Sequence, residues 1–281
     1  MIQPTRSAFA AALVLICAAA AAAPPLPDVD HLAALMRRAV VERGDYPDLD
    51  RLHPALDVDT LYAVQARYVA AQLADGARIG GFKGGLVPVA PIGGVLLADG
   101  LLERPARVSR AAYRRLLVEA EIAFELCTPV TAPLADVAAV QAAVCRLRPA
   151  VELPDAALAD LDVLKTDPPR LARALIPNNM VTQAVALGAA VPAAKIDLKT
   201  LHVQTLRDGV LLGERAPGAP NEAMWETVRW IVNEFALKRG YRVEAGHLVM
   251  AGNLTGLHAG DAGRWRVDYG ALGSVAFEVG D

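Results

Sequence analysis

The stretch Leu116-Leu117-Val118-Glu119-Ala120-Glu121-Ile122-Ala123-Phe124-Glu125-Leu126 constrains the fold more than any other part of the chain. Leu116, Val118, Ile122, Phe124 and Leu126 fall on one parity, and Leu117, Glu119, Glu121, Ala123 and Glu125 on the other. Side chains alternate along a strand, so Glu119 and Glu121 leave the same face, about 7 Å apart along the backbone. A strand this apolar is buried on at least one side, and two like charges there are costly unless something neutralises them. Two readings stand: a divalent cation between the acids, or a half-exposed strand with a solvated acidic face. Glu125, one step further out on the same parity, reads as solvated.

Ahead of this lies a segment that does not read as fold. Arg6 precedes an apolar run from Ala8 to Ala23, closed by Pro24 and Pro25. That is the pattern of a secretory signal peptide, and a run of about 16 residues is short for a membrane span. Ala20 and Ala22 supply a small-x-small pattern, which places cleavage after Ala22; an uncleaved anchor is the alternative. The expectation is a signal peptide over 1–22 and a single catalytic domain over 23–281, periplasmic or secreted, with no stable membrane association after processing. Such a length allows one large core. A net charge of −3, no basic runs and 5% aromatic residues argue against a nucleic-acid partner. Cys127 and Cys145 survive processing; they either pair in an oxidising compartment or remain as buried thiols.

Helical spacing joins Val29, Leu32, Leu35, Met36, Ala39 and Val40, with Gly44 as a stop. Asp59 can cap a second helix whose stripe is Leu61, Val64, Tyr68 and Leu73, ending near Gly76. The glycine-rich run Ile79 to Leu86 carries a lone Lys83, which suits either a turn or a close backbone approach to a ligand carboxylate. Pro88 to Gly94 reads as a loop, Pro133 to Val144 as a helix, and Arg148 to Asp155 as a short strand. That strand carries Glu152 between apolar residues, an odd place for an unpaired carboxylate. Asp155 behind Pro154 reads as a turn residue. Further on come a hairpin over Leu201 to Leu212 turned at Asp208-Gly209, a helix capped by Asn221 and running to Arg239, and a strand-rich end from His247 to Val279.

Val118 to Leu126 followed by Pro149-Ala150-Val151-Glu152 resembles the fumarylacetoacetate hydrolase superfamily, in its 2-keto-4-pentenoate hydratase and 4-oxalocrotonate decarboxylase branch. Gly81-Phe82-Lys83-Gly84-Gly85-Leu86, Ala251-Gly252-Asn253-Leu254-Thr255-Gly256 and Gly270-Ala271-Leu272-Gly273-Ser274-Val275 fit the same branch in the same order. The resemblance implies an α+β fold: a mixed, barrel-like β core with flanking helices and a helical N-terminal lead-in. It implies Mg²⁺ or Mn²⁺ held by Glu119, Glu121 and Glu152, with Lys83 catalytic, Asp155 orienting water or the lysine, and Asn179 and Thr255 touching substrate. The implied activity is a lyase of aromatic-compound catabolism, acting on a small 2-oxo acid through a metal-stabilised dienolate. Hydration leads; decarboxylation of a 4-oxalocrotonate-type diacid, or a catalytically silent periplasmic 2-oxo acid binder, are the alternatives. A homo-oligomer is expected by analogy. The chain departs from the pattern at Val87, in the short Pro88–Pro105 segment, and at Asn178-Asn179 where an Asp-Asn pair is usual, which points to a different or smaller 2-oxo acid.

Overall fold

The computed structural model describes residues 28–86, 89–218 and 223–281. The expected signal peptide and the Asn221 cap therefore lie outside the described residues.

Helix α1 (Val29–Val41) packs on α3 (Val58–Ala74), with the single turn α2 (Leu49–Leu52) between them in sequence. Leu32, Met36, Leu61 and Val64 are buried. Asp57, not Asp59, caps α3: its carboxylate accepts the Thr60 N–H at 2.7 Å. Asp59 is instead exposed and paired with Arg239.

The strands follow as β1 (Ile79–Gly85), β2 (Ile92–Leu97), β3 (Leu101–Glu103), β4 (Arg107–Ser109) and β5 (Leu117–Leu126). After α4 (Val137–Ala143) come β6 (Val144–Leu153), the short helices α5 (Leu161–Leu164) and α6 (Pro168–Leu175), then β7 (Ala184–Leu187) and β8 (Val191–Pro192). The chain closes with the hairpin β9 (Val203–Arg207) and β10 (Val210–Arg215), helix α7 (Met224–Trp230), and strands β11 (Leu248–Ala259), β12 (Gly263–Asp268) and β13 (Ser274–Gly280). The segment expected as a loop over Pro88 to Gly94 already enters β2, and the helix expected from Pro133 starts only at Val137, where Asp136 caps it.

One mixed sheet runs β2-β1-β11-β5-β6-β7-β3, with β8 on β6, and curls as a half-barrel; a second runs β10-β9-β12-β13-β4. The fold is α+β. Tyr269, fully buried, ties the sheets together by donating its hydroxyl to the Ala150 carbonyl. The β9–β10 hairpin turns at Asp208 (φ 51°) and Gly209 (φ 81°), the two positive values that a tight two-residue turn requires.

The glycines around Lys83 have a packing role. Helix α7 continues as a π-helical segment, Ile231–Leu237, lying on β1 and β2. A Cβ at Gly84 would stand 2.5 Å from Ile231, and one at Gly93 2.2 Å from the Phe235 ring. Only hydrogen at those positions lets the helix settle on the strands.

At the far end of β5, Glu125 corrects the solvated reading: it is buried and paired with Arg146. Cys127 and Cys145 are disulfide-bonded just beyond, with Cα atoms 5.8 Å apart, joining the end of β5 to the start of β6. Both positions are exposed, so the buried-thiol alternative does not hold.

Candidate metal centre

Strand β5 lies between β6 and β11, and the registers of those two pairings build the site. Antiparallel pairing sets Glu119 directly opposite Glu152 on β6, while Glu121 faces Gly252 on β11. The three side chains each bring a carboxylate oxygen within 4.8 Å of the others. Glu121 and Glu152 are buried and Glu119 half-buried. A solvated acidic face is therefore excluded.

Lys83 reaches the same point from β1, whose parallel pairing with β11 sets it beside Met250. Its ammonium is paired with Glu152, and both side chains are buried. Burial alone would depress the Lys83 pKa, but Glu152, Glu119 and Glu121 together outweigh it and hold the group above its ordinary value. Burial and the neighbouring Glu152 push Glu119 up to about 7 against the pull of Lys83. Burial, then Glu119 and Glu152, push Glu121 well above the usual carboxylate range. Three ionised carboxylates and one ammonium leave two negative charges uncompensated. A divalent cation cancels them.

Two further observations fit an ion. Glu121 Oε2 and Glu152 Oε2 are buried without any hydrogen-bond partner. Leaving such an oxygen unsatisfied costs about 1–3 kcal/mol, more when it is charged. The donor set is all oxygen, which suits a hard cation. Glu121 is also held in place: Oε1 accepts the Asn253 N–H at 3.2 Å. A Cβ on Gly252 would lie 2.6 Å from Glu121 Oε2 and 2.7 Å from its Cα, so glycine there is what admits the carboxylate. The acids and Lys83 open onto a cavity of about 160 Å³, whose wall is otherwise largely apolar.

The other expected site residues are placed elsewhere. Asp155 does not line the cavity. Its carboxylate takes the Arg114 and Arg115 backbone N–H groups at 2.8 Å and the Arg114 side chain at 2.7 Å, so it clamps a corner of the chain. Asn179 spends its amide on the backbone of Val95, accepting from the N–H at 2.7 Å and donating to the carbonyl at 2.8 Å. Thr255 bonds Thr205 at 2.7 Å, toward the second sheet. Neither Asn179 nor Thr255 lines the cavity; Met180, Val181 and Asn253 do. The expectation for Thr255 rests on its motif alone; strand β11 loses its register between Gly252 and Leu257, and of that motif Gly252 and Asn253 meet the cavity. The signal for Asn253 was its type, since asparagine tolerates the left-handed backbone found there (φ 62°).

No model of a protein family matches the chain. Two characterised relatives align over nearly their whole length. The 2-oxo-hept-4-ene-1,7-dioate hydratase of Escherichia coli is 27% identical, covering 87% of this chain and 95% of the relative. The 2-keto-4-pentenoate hydratase 1 of Dechloromonas aromatica is 28% identical, covering 87% and 94%. Among solved structures, the 4-oxalocrotonate decarboxylase from Pseudomonas putida G7, complexed with magnesium and adipate, superposes with a TM-score of 0.78 at 23% identity, covering 89% of this chain and 97% of that one. By sequence the chain is similar to these two hydratases, and by fold to the 4-oxalocrotonate decarboxylase.

Proposed function

We propose that the protein is a divalent-metal-dependent lyase that adds water to a small 2-oxo-4-enoic acid. The observation that carries this is the meeting of Glu119, Glu121 and Glu152 around two unpartnered carboxylate oxygens with a charged lysine alongside. The three glutamates would hold the cation, and hard oxygen donors favour Mg²⁺ or Mn²⁺. A magnesium ion in the structure of a similar decarboxylase supports the choice. When bound, the ion supplies a Lewis acid for the carboxylate and keto oxygens of a 2-oxo acid.

The chain's own groups do the rest. Lys83 keeps its proton at Nζ and places positive charge where the substrate's oxygens gain negative charge. Its pairing with Glu152 fixes both side chains in one orientation. The apolar wall, with Ile92, Leu158 and Met180, limits water around the reacting carbons. Among the described residues lining the cavity Asn253 is the neutral polar one, and it is assigned to hold substrate.

Hydration leads because both relatives aligned by sequence are hydratases. Decarboxylation of a vinylogous 2-oxo diacid needs the same electron-withdrawing grip on the keto oxygen and is the alternative. Nothing in the relatives favours a silent binding protein. Export to the periplasm or beyond remains part of the proposal, supported by the Cys127–Cys145 disulfide, which an oxidising compartment preserves. The test is turnover of 2-keto-4-pentenoate, followed as loss of dienol absorbance with Mg²⁺ or Mn²⁺ present. The reading expects metal-dependent turnover that Glu152→Gln lowers at least about a hundredfold. Absence of turnover of any 2-oxo-enoate or 2-oxo diacid would remove it.

A further inference from the structure

The cavity at the three acids adjoins an outer cavity of about 820 Å³. Leu117, Leu161, Lys165 and Leu257 line both, so they mark the passage between the two. Lys83 and Lys165 are the cationic side chains among the described residues lining the inner cavity. Lys83 is buried against Glu152 at the acidic end. Lys165 stands at the passage, directly after α5. Its ammonium lies 3.3 Å from Asp162, but the two side chains are 40% and 98% exposed, and so exposed a pair holds its partner weakly.

The inner cavity, about 160 Å³, is of the order that takes a benzene-sized guest. A 2-oxo acid with its keto-carboxylate head at the three glutamates therefore fills the inner cavity with its next few carbons. A longer chain leaves that cavity by the passage that Lys165 lines. A second carboxylate ending against Leu171, Leu175 or Ile92 would be costly, because those side chains offer it no partner. At the passage it meets Lys165 and solvent.

We propose that Lys165 is a specificity-determining residue that receives the distal carboxylate of a 2-oxo diacid, so that the protein selects diacids over monoacids of equal length. The inference rests on the 2-oxo acid site proposed above. Its test is isothermal titration of the Mg²⁺-loaded protein with 2-oxoadipate and 2-oxohexanoate, which share six carbons and differ in whether the chain ends in carboxylate or methyl. The wild type binds 2-oxoadipate at least about fivefold more tightly. Lys165→Met removes that preference while shifting the 2-oxohexanoate affinity less than about twofold, and Lys165→Arg restores most of it. Equal binding of the two probes by the wild type, loss of both affinities together in Lys165→Met, or failure of both to bind would each overturn the inference. Both probes are saturated and cannot be hydrated, so turnover of enoates judges the lyase reading separately.

Discussion

Gly252 and Glu121 show how little room the centre leaves. The missing side chain of one residue is the space occupied by the carboxylate of the other. Gly252→Ala is expected to lower stability by about 1–3 kcal/mol, the usual cost of overpacking, and to weaken ion binding at the same time. Urea unfolding and metal titration read the two effects; a variant with ordinary stability and affinity would mean that the strands part easily here. Protonation gives a second prediction. In the metal-free protein burial and the neighbouring acids hold Glu119 near 7 and Glu121 well above the ordinary carboxylate value of 4.5. Between pH 4.5 and 7 the folded chain thus keeps protons that the unfolded chain has released, so metal-free stability falls as pH rises through that window. An ion needs the deprotonated ligands, so the rise in Tm on adding Mg²⁺ should grow across the same window. A Tm increment independent of pH would contradict this.

At the level of elements, the turn Asn179-Met180-Val181 bears the most strain. All three residues are left-handed, with φ of 58°, 56° and 51°, a region that valine rarely enters. Buried amides hold it: Asn179 grips the Val95 backbone, while Asn178 accepts the Val181 N–H at 3.1 Å and donates to Ala174 O at 2.9 Å. An aspartate at 178, as the family pattern has it, could not donate to the Ala174 carbonyl, so the amide there has a structural reason. Asn179→Ala is expected to cost about 2–4 kcal/mol, since two buried backbone groups lose partners and Met180 and Val181 shift at the cavity wall. Thermal unfolding together with KM reads it; a variant changed in neither would show that the turn holds itself. The disulfide acts on the strands bearing the acids, from their far end. It closes a loop with a sequence separation of 18, and replacing Cys127 and Cys145 by serine should cost about 3 kcal/mol in urea unfolding. Unchanged stability would show that β5 and β6 pair without it.

Across the whole molecule, the sequence made some features legible and hid others for physical reasons. Strand parity put Glu119 and Glu121 on one face, the apolar setting singled out Glu152 and the glycine-rich run singled out Lys83, and the family resemblance joined the four. Parity alone could not set Glu152 opposite Glu119, because register between strands is decided by pairing. It also misjudged Glu125, since β5 is covered on both faces and an acid there needs Arg146. Thr255, carried by its motif alone, bonds Thr205 instead of meeting the cavity, and the cap expected at Asp59 fell to Asp57, whose carboxylate reaches the Thr60 N–H. Lys165 carried no motif at all; its position follows from where α5 and α6 lie over the cavity. All of these arguments meet at one cation. Calorimetric titration of the purified, chelator-stripped protein with Mn²⁺ tests it directly, for the wild type and for Glu119→Gln, Glu121→Gln and Glu152→Gln. The account predicts one ion per chain, with affinity falling at least about tenfold in each variant. Uptake left unaltered by any one of the three substitutions would contradict it.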